Sequence, residues 1–381
     1  MKILNIFKKT YFKLPDYKFS QDEFNVITLV QAAGIISVII GHFYNQPFNY
    51  IHPYVFHMPL FFFLGGMLLS LKHGVLVKLK TTINKHGFYL IKSYVITGIL
   101  SSLLVYFFNV EKRKPFSSGL FDTIEFTIKS NFGNNSLFVV GWFLLSYIIA
   151  NIVSSLVMHL SRKTNFDAII YASLALLFMF LGMKYLPSIY TDRTHFLINL
   201  SSQCCTAIGF MLLGCLSKPF IFKVLRLDIM LALLFMLPYL KDIGALKGVN
   251  IAWSKYDAGM MWGTISSLVA IYILFTSCSA LSKIKGNSAF IDYLGKNTKS
   301  VMTYHLFSFF MVDIGMHYIV GYDITKSATY SHYNSAGSWP FYMLAGIIIP
   351  LMLCWLYEKI KSYIYNLLPE TLKRRQLNHG R

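Results

Sequence analysis

The chain has 381 residues, of which 55% are hydrophobic and only 13% charged, with a formal net charge of +19. Soluble domains carry about 25% charged residues, so half that share, with repeated apolar runs, excludes an ordinary soluble enzyme. It predicts an all-α polytopic transmembrane bundle instead.

A basic segment, residues 1–24, precedes about ten expected spans. These lie near 25–47, 53–71, 89–109, 136–160, 167–187, 197–217, 227–240, 258–281, 299–320 and 341–363, by the length of helix a bilayer requires. The seventh is short and the sixth polar, so either suits a re-entrant or tilted segment. The spans form one transmembrane domain over 25–363, followed by a basic tail over 364–381. The first apolar run is long enough to stay as an anchor rather than a cleaved leader.

With the N-terminus in the cytoplasm, most of the 35 lysines and arginines fall on the cytoplasmic side. They cluster at Lys2–Lys18, Lys72–Lys92, Arg162–Lys163, Lys218–Arg226, Lys283–Lys299 and the tail. This is the positive-inside pattern, and it places both termini in the cytoplasm. The excess charge then reflects topology, with the bilayer as partner and anionic lipid secondary. Nucleic acid is not expected. The five cysteines lie in or near apolar runs without zinc-ligand spacing, so no metal is expected.

Chemistry is expected where ionisable groups enter the apolar runs. Nothing charged stands between Phe24 and Lys72, yet His42, His52 and His57 do. His42 lies in the outer part of the first span, followed by Tyr44 and Asn45. As a neutral imidazole facing a cavity it can take a proton from a hydroxyl; otherwise it is a packing histidine. His57-Met58-Pro59 opens the second span, with Pro in the first turn where its missing N–H costs nothing. Gly65-Gly66 permits close helix approach. Lys72–Lys92 carries five lysines and no acid, a charge that suits either topology or donor phosphates. In the ninth span, His305 is followed by Asp313 and His317, four residues apart and so on one helix face. The loop at 321–340 combines aromatic, amide and hydroxyl groups able to stack on and hydrogen-bond a sugar.

Several pieces together resemble the acyltransferase 3 family of integral membrane acyltransferases, particularly the polysaccharide O-acetyltransferases and the fucose 4-O-acetylase-like group. They are the small-residue first span ending in Gly41-His42, and His57-Met58-Pro59-Leu60-Phe61-Phe62-Phe63 leading to Gly66. Gly141-Trp142-Phe143-Leu144, and Leu294-Gly295-Lys296-Asn297-Thr298 leading to Tyr304-His305, complete the set. The resemblance implies transfer of acetyl from cytoplasmic acetyl-CoA to a hydroxyl of a cell-envelope polysaccharide or lipid-linked sugar, at a bacterial inner or plasma membrane. It implies catalytic roles for His42 and His305, and donor contacts from Gln31, Lys85 and Lys92. Tyr44, Asn45, His57, Asp313 and His317 are expected on the acceptor side. The family usually has Arg or Lys eleven residues before the first-span histidine and Asp three before that; here these are Gln31 and Thr28. Two other readings follow from the residues: a transporter or flippase using His and Asp as a proton relay, and a non-catalytic relative.

Overall fold

The computed structural model describes residues 12–43, 52–72, 74–110, 114–190, 195–285 and 288–367. Tyr44 and Asn45 lie outside the described residues, as does the basic tail from 368 onward.

The regular structure among the described residues is helical apart from one small hairpin and an isolated bridge between Ala328 and Ser331. In order the helices are α1 (Gln21–Ile40), α2 (His57–Met67), α3 (Val75–Thr82), α4 (Phe88–Phe108), α5 (Leu120–Lys129), α6 (Gly141–Ser161), α7 (Asp167–Phe180) and α8 (Leu186–Ile189). They continue with α9 (Phe196–Ser217), α10 (Ile221–Val224), α11 (Leu227–Asp242), α12 (Gly259–Lys285), α13 (Ala289–Lys296), α14 (Thr298–Val320) and α15 (Ser335–Leu367). Helix lies within each of the ten expected intervals. Among the described residues, seven helical segments are long and apolar enough to cross a membrane, and α2 is a shorter apolar helix.

Several boundaries depart from the sequence reading, each for a local reason. α1 starts early, at Gln21, because Ser20 and Glu23 form a reciprocal cap: Ser20 Oγ accepts from the Glu23 N–H and Ser20 N–H donates to Glu23 Oε2, satisfying first-turn donors. It ends at Ile40, so His42 lies in the turn beyond the helix rather than within it. The basic stretch after Lys72 is itself helical. α3 passes through a π-helical turn, Ile83–Gly87, directly into α4. α15 likewise continues to Leu367, past the boundary expected at 363. The stretch 110–135 contains α5, and 241–257 contains the antiparallel pair β1 (Val249–Asn250) and β2 (Lys255–Tyr256).

α9 is the central helix, packed on α2, α6 and α7; α1 packs on α12 and α13, and α14 on α15. The α2–α9 seam is unusually close for a physical reason. A Cβ on Gly66 would strike the Met211 carbonyl, and one on Gly214 would strike the Phe63 carbonyl. Only reciprocal glycines let the two backbones meet. Gly295 of α13 makes the same kind of approach to the Thr28 carbonyl of α1.

The bundle has a basic face, where the segment before α1 is tied down. There the Leu14 N–H donates to Asp167 Oδ1 (2.8 Å) and Arg162 lies 3.7 Å from Asp16. Lys218 sits over the Phe19 ring, at the end of α9. His42 and the β1–β2 hairpin lie toward the opposite face.

Candidate active site

The end of α1 and the middle of α14 bring two histidines together. His42 Nε2 lies 3.0 Å from His305 Nε2. His305 Nδ1 faces the Met302 and Val301 carbonyls at 2.8 and 3.2 Å. Carbonyls only accept, so His305 carries its proton on Nδ1 and its Nε2 is left as an acceptor. The proton shared between the rings then belongs to His42 Nε2. That assignment, made from the hydrogen-bond network, leaves a lone pair on His42 Nδ1. This atom is buried and has no hydrogen-bond partner among the described residues. Such an atom is costly unless something else engages it.

The pair lines a cavity of about 400 Å³, with Tyr54, His57 and Trp142 also in its wall. His57 Nδ1 donates to the Pro53 carbonyl at 2.5 Å, so its Nε2 is likewise an acceptor. The expected helix start at His57-Met58-Pro59 thus places an oriented imidazole beside the pair. His52 does something different. Its ring accepts from the Tyr54 N–H at 3.3 Å and caps a short turn, and burial lowers its pKa.

A second cavity of about 830 Å³ opens beside the first, and both share Val139, Trp142, Ala252, Trp253 and Tyr330. Asn131, Asn134, Asn199 and Lys129 supply its polar wall, with Lys129 paired to Glu125. The Ala252 carbonyl accepts from Asn131, Asn199 and Gln203 amides at 2.8, 3.2 and 2.7 Å. Three donors on one oxygen fix the turn that holds Trp253. β2 is anchored by Tyr256, whose hydroxyl pairs with Thr206 at 2.9 Å; burial pushes its pKa up to about 12, so it stays neutral. Tyr330, from the expected sugar-stacking loop, lies nearly parallel to the His42 ring, with centroids 5.6 Å apart.

Asp313 does not pair with His317. Its carboxyl accepts from His332 Nδ1 (2.7 Å), the Tyr342 hydroxyl (2.6 Å) and the Tyr333 N–H (3.1 Å), all in a fully enclosed site. His317 instead faces the Tyr322 carbonyl at 2.7 Å. The helical spacing put Asp313 and His317 on one side, but a buried carboxyl needs several donors, and the 321–340 loop supplies them. Neither residue lines the histidine cavity. Their structural effect on it is indirect: Asp313 holds His332 and Tyr333, next to the turn that carries Tyr330.

Behind the pair, toward the basic face, a smaller cavity of about 140 Å³ is lined by Gln31, His86, Tyr147, Thr298, Lys299 and Met302, among others. Of the expected donor contacts, Gln31 is in its wall. Lys85 is exposed and close enough to act on Lys299 electrostatically. Lys92 is not in the wall; its ammonium sits over the Tyr357 ring at 4.8 Å.

Sequence reasoning missed Lys299, His332 and Trp253 as contributors. Trp142 is legible in the sequence only within the Gly141-Trp142-Phe143-Leu144 motif. Lys299 carried a signal, a cation six residues before His305 on one helix; the other two are brought in by tertiary contacts alone. Among the described residues, no group of three or more His, Cys, Asp or Glu could hold a metal ion.

A family model described as an acyltransferase domain matches residues 24–358. The chain belongs to the acyltransferase 3 family. No curated protein and no solved structure matches it. Membership in this acyltransferase family, in a bundle of long apolar helices, makes it a membrane-embedded acyltransferase-family protein.

Proposed function

We propose that the protein is an O-acetyltransferase of the bacterial inner membrane, moving acetyl from cytoplasmic acetyl-CoA to a hydroxyl of an envelope polysaccharide or lipid-linked sugar. The observation that carries this reading is the His42–His305 contact at 3.0 Å, with the partnerless His42 Nδ1 beside an aromatic-walled cavity. In this reading the basic face is cytoplasmic, both termini lie there, and about ten segments cross the bilayer within a domain over residues 25–363.

The acceptor enters the larger cavity, where Trp142, Trp253 and Tyr330 offer faces to a sugar ring and the asparagines hydrogen-bond its hydroxyls. The thioester arrives from the opposite side. His42 Nδ1 takes the proton of the attacking hydroxyl as its oxygen bonds to the acetyl carbonyl carbon. The C–S bond breaks and the proton passes to the departing thiolate sulfur, giving ester and free thiol. His305, held by the Met302 carbonyl, fixes the His42 tautomer and accepts from its Nε2–H throughout. His57 borders the acceptor, and the step as written needs no metal.

The test is reconstituted protein with radiolabelled acetyl-CoA and envelope glycan from the host strain. Covalent label on glycan that disappears in His42→Ala, with unaltered protein yield, is the expected result. Unmodified glycan, or label transferred equally by His42→Ala, would overturn the proposal.

A further inference from the structure

Lys299 and its surroundings have no role in the chemistry above, yet the region is built. The Lys299 ammonium lies 3.4 Å from His86 Nδ1 and 3.6 Å from the centroid of the Tyr89 ring. Tyr89 also donates its hydroxyl to the Lys299 carbonyl at 3.2 Å, so both ends of the residue are held. Lys85 adds a further positive charge beside it, and no carboxylate stands among the described residues lining the cavity. Topology alone asks only that a lysine be on the cytoplasmic side. It does not ask for one to be pinned between an imidazole and an aromatic ring without a counterion. A cation held in a partly desolvated concavity, with the charge of the exposed Lys85 nearby, favours an anion there.

The cavity is positioned to serve the histidine pair. Lys299 and His305 are six residues apart on α14, about 9 Å along the axis. Met302 lies between them, lining this cavity while its carbonyl holds His305 Nδ1. Gln31 lines the same cavity as Lys299, an amide that can donate a hydrogen bond to an oxygen but brings no charge.

We propose that Lys299, with Gln31 in the same cavity wall, forms a subsite for a phosphate group, and that the phosphate belongs to the nucleotide thioester donor. The identity of the ligand rests on the acyl-CoA reading above; the anion site itself does not. The same phosphate chemistry is offered by an anionic lipid headgroup, which the experiment separates.

The probe is coenzyme A, titrated by calorimetry into full-length protein in nanodiscs of purely zwitterionic lipid, then in nanodiscs containing phosphatidylglycerol. Lys299→Gln is expected to weaken binding about tenfold or more, the scale of one charge-assisted hydrogen bond. Gln31→Arg in the Lys299→Gln background is expected to restore most of it, which a purely structural role for Lys299 does not predict. Gln31→Glu leaves Lys299 in place but adds a carboxylate to the same cavity wall, and is expected to weaken binding as well. Wild-type binding that Lys299→Gln and Gln31→Glu both leave unchanged overturns the subsite. So does coenzyme A binding that phosphatidylglycerol displaces with Lys299-dependent affinity of its own, which assigns the site to lipid. Wild-type protein that binds no coenzyme A in either disc overturns the donor reading itself, and with it the assignment of the phosphate.

Discussion

Helix α14 carries two buried polar centres eight residues apart, and they are built in opposite ways. At Asp313 a carboxyl gathers an imidazole, a phenol and a backbone N–H, every bond internal and no face on a cavity. At His305 two imidazoles meet with no carboxyl between them, and one nitrogen of the pair is left over at a cavity wall. Each centre keeps one buried imidazole nitrogen without a partner among the described residues, His332 Nε2 in one and His42 Nδ1 in the other. The difference is that the Asp313 carboxyl is fully engaged in holding a loop, whereas His42 stands in a cavity wall. There the cost of unmet hydrogen bonding can be relieved by a ligand. Phe309 packs edge-on against both His305 and His332, so the two centres share an apolar partition without exchanging hydrogen bonds.

Substitutions can break this contrast. His42→Ala should give the largest effect on transfer, about 10²–10⁴-fold in rate, with little change in thermal stability in detergent. A comparable fall in stability would mean that the pair is structural after all. His305→Ala removes only the group that orients His42. We expect a smaller loss, about tenfold to a hundredfold by weakened positioning, and partial recovery with His305→Gln, whose amide can still meet His42. Asp313→Ala should do the reverse of His42→Ala: about 3 kcal/mol of stability lost from donors left unmet, while protein that remains folded keeps transfer activity. Catalysis abolished in fully folded Asp313→Ala would move Asp313 into the reaction. The mildest change is Tyr330→Ala, which removes a stacking face worth about 0.5–1.5 kcal/mol. It should raise the acceptor KM a few-fold while leaving that for acetyl-CoA alone.

The same contrast marks how far the sequence could be read. The apolar runs located the helices well, because bilayer length and backbone satisfaction leave few alternatives. They located the ends poorly: the Ser20–Glu23 cap and the turn at Gly41 were not weighed, so α1 was extended past His42. His42 and His305 were legible as individual residues from their motifs, but their contact spans 263 positions and no periodicity encodes it. Asp313 shows the opposite error. Helical spacing offered His317 as its partner, whereas the true donors come from a loop whose fold no local pattern announces. Lys299 was counted with the topogenic lysines because a charge near a helix start has two explanations, and only its packing against Tyr89 and His86 separates them.

The reciprocal glycines at Gly66 and Gly214 carry a mechanical consequence. Two helices in backbone contact cannot slide or roll past each other without a carbonyl meeting a carbonyl, so α2 and α9 travel as one keel. Whatever breathing the proposed transfer requires, to admit a thioester from one side and a sugar from the other, must therefore be taken up elsewhere. The π-helical turns at Ile83–Gly87 and Leu181–Tyr185, where the regular ladder is already interrupted, are the natural hinges. A catalyst that spans a membrane needs one part that never yields, and here it is drawn by two residues with no side chain at all.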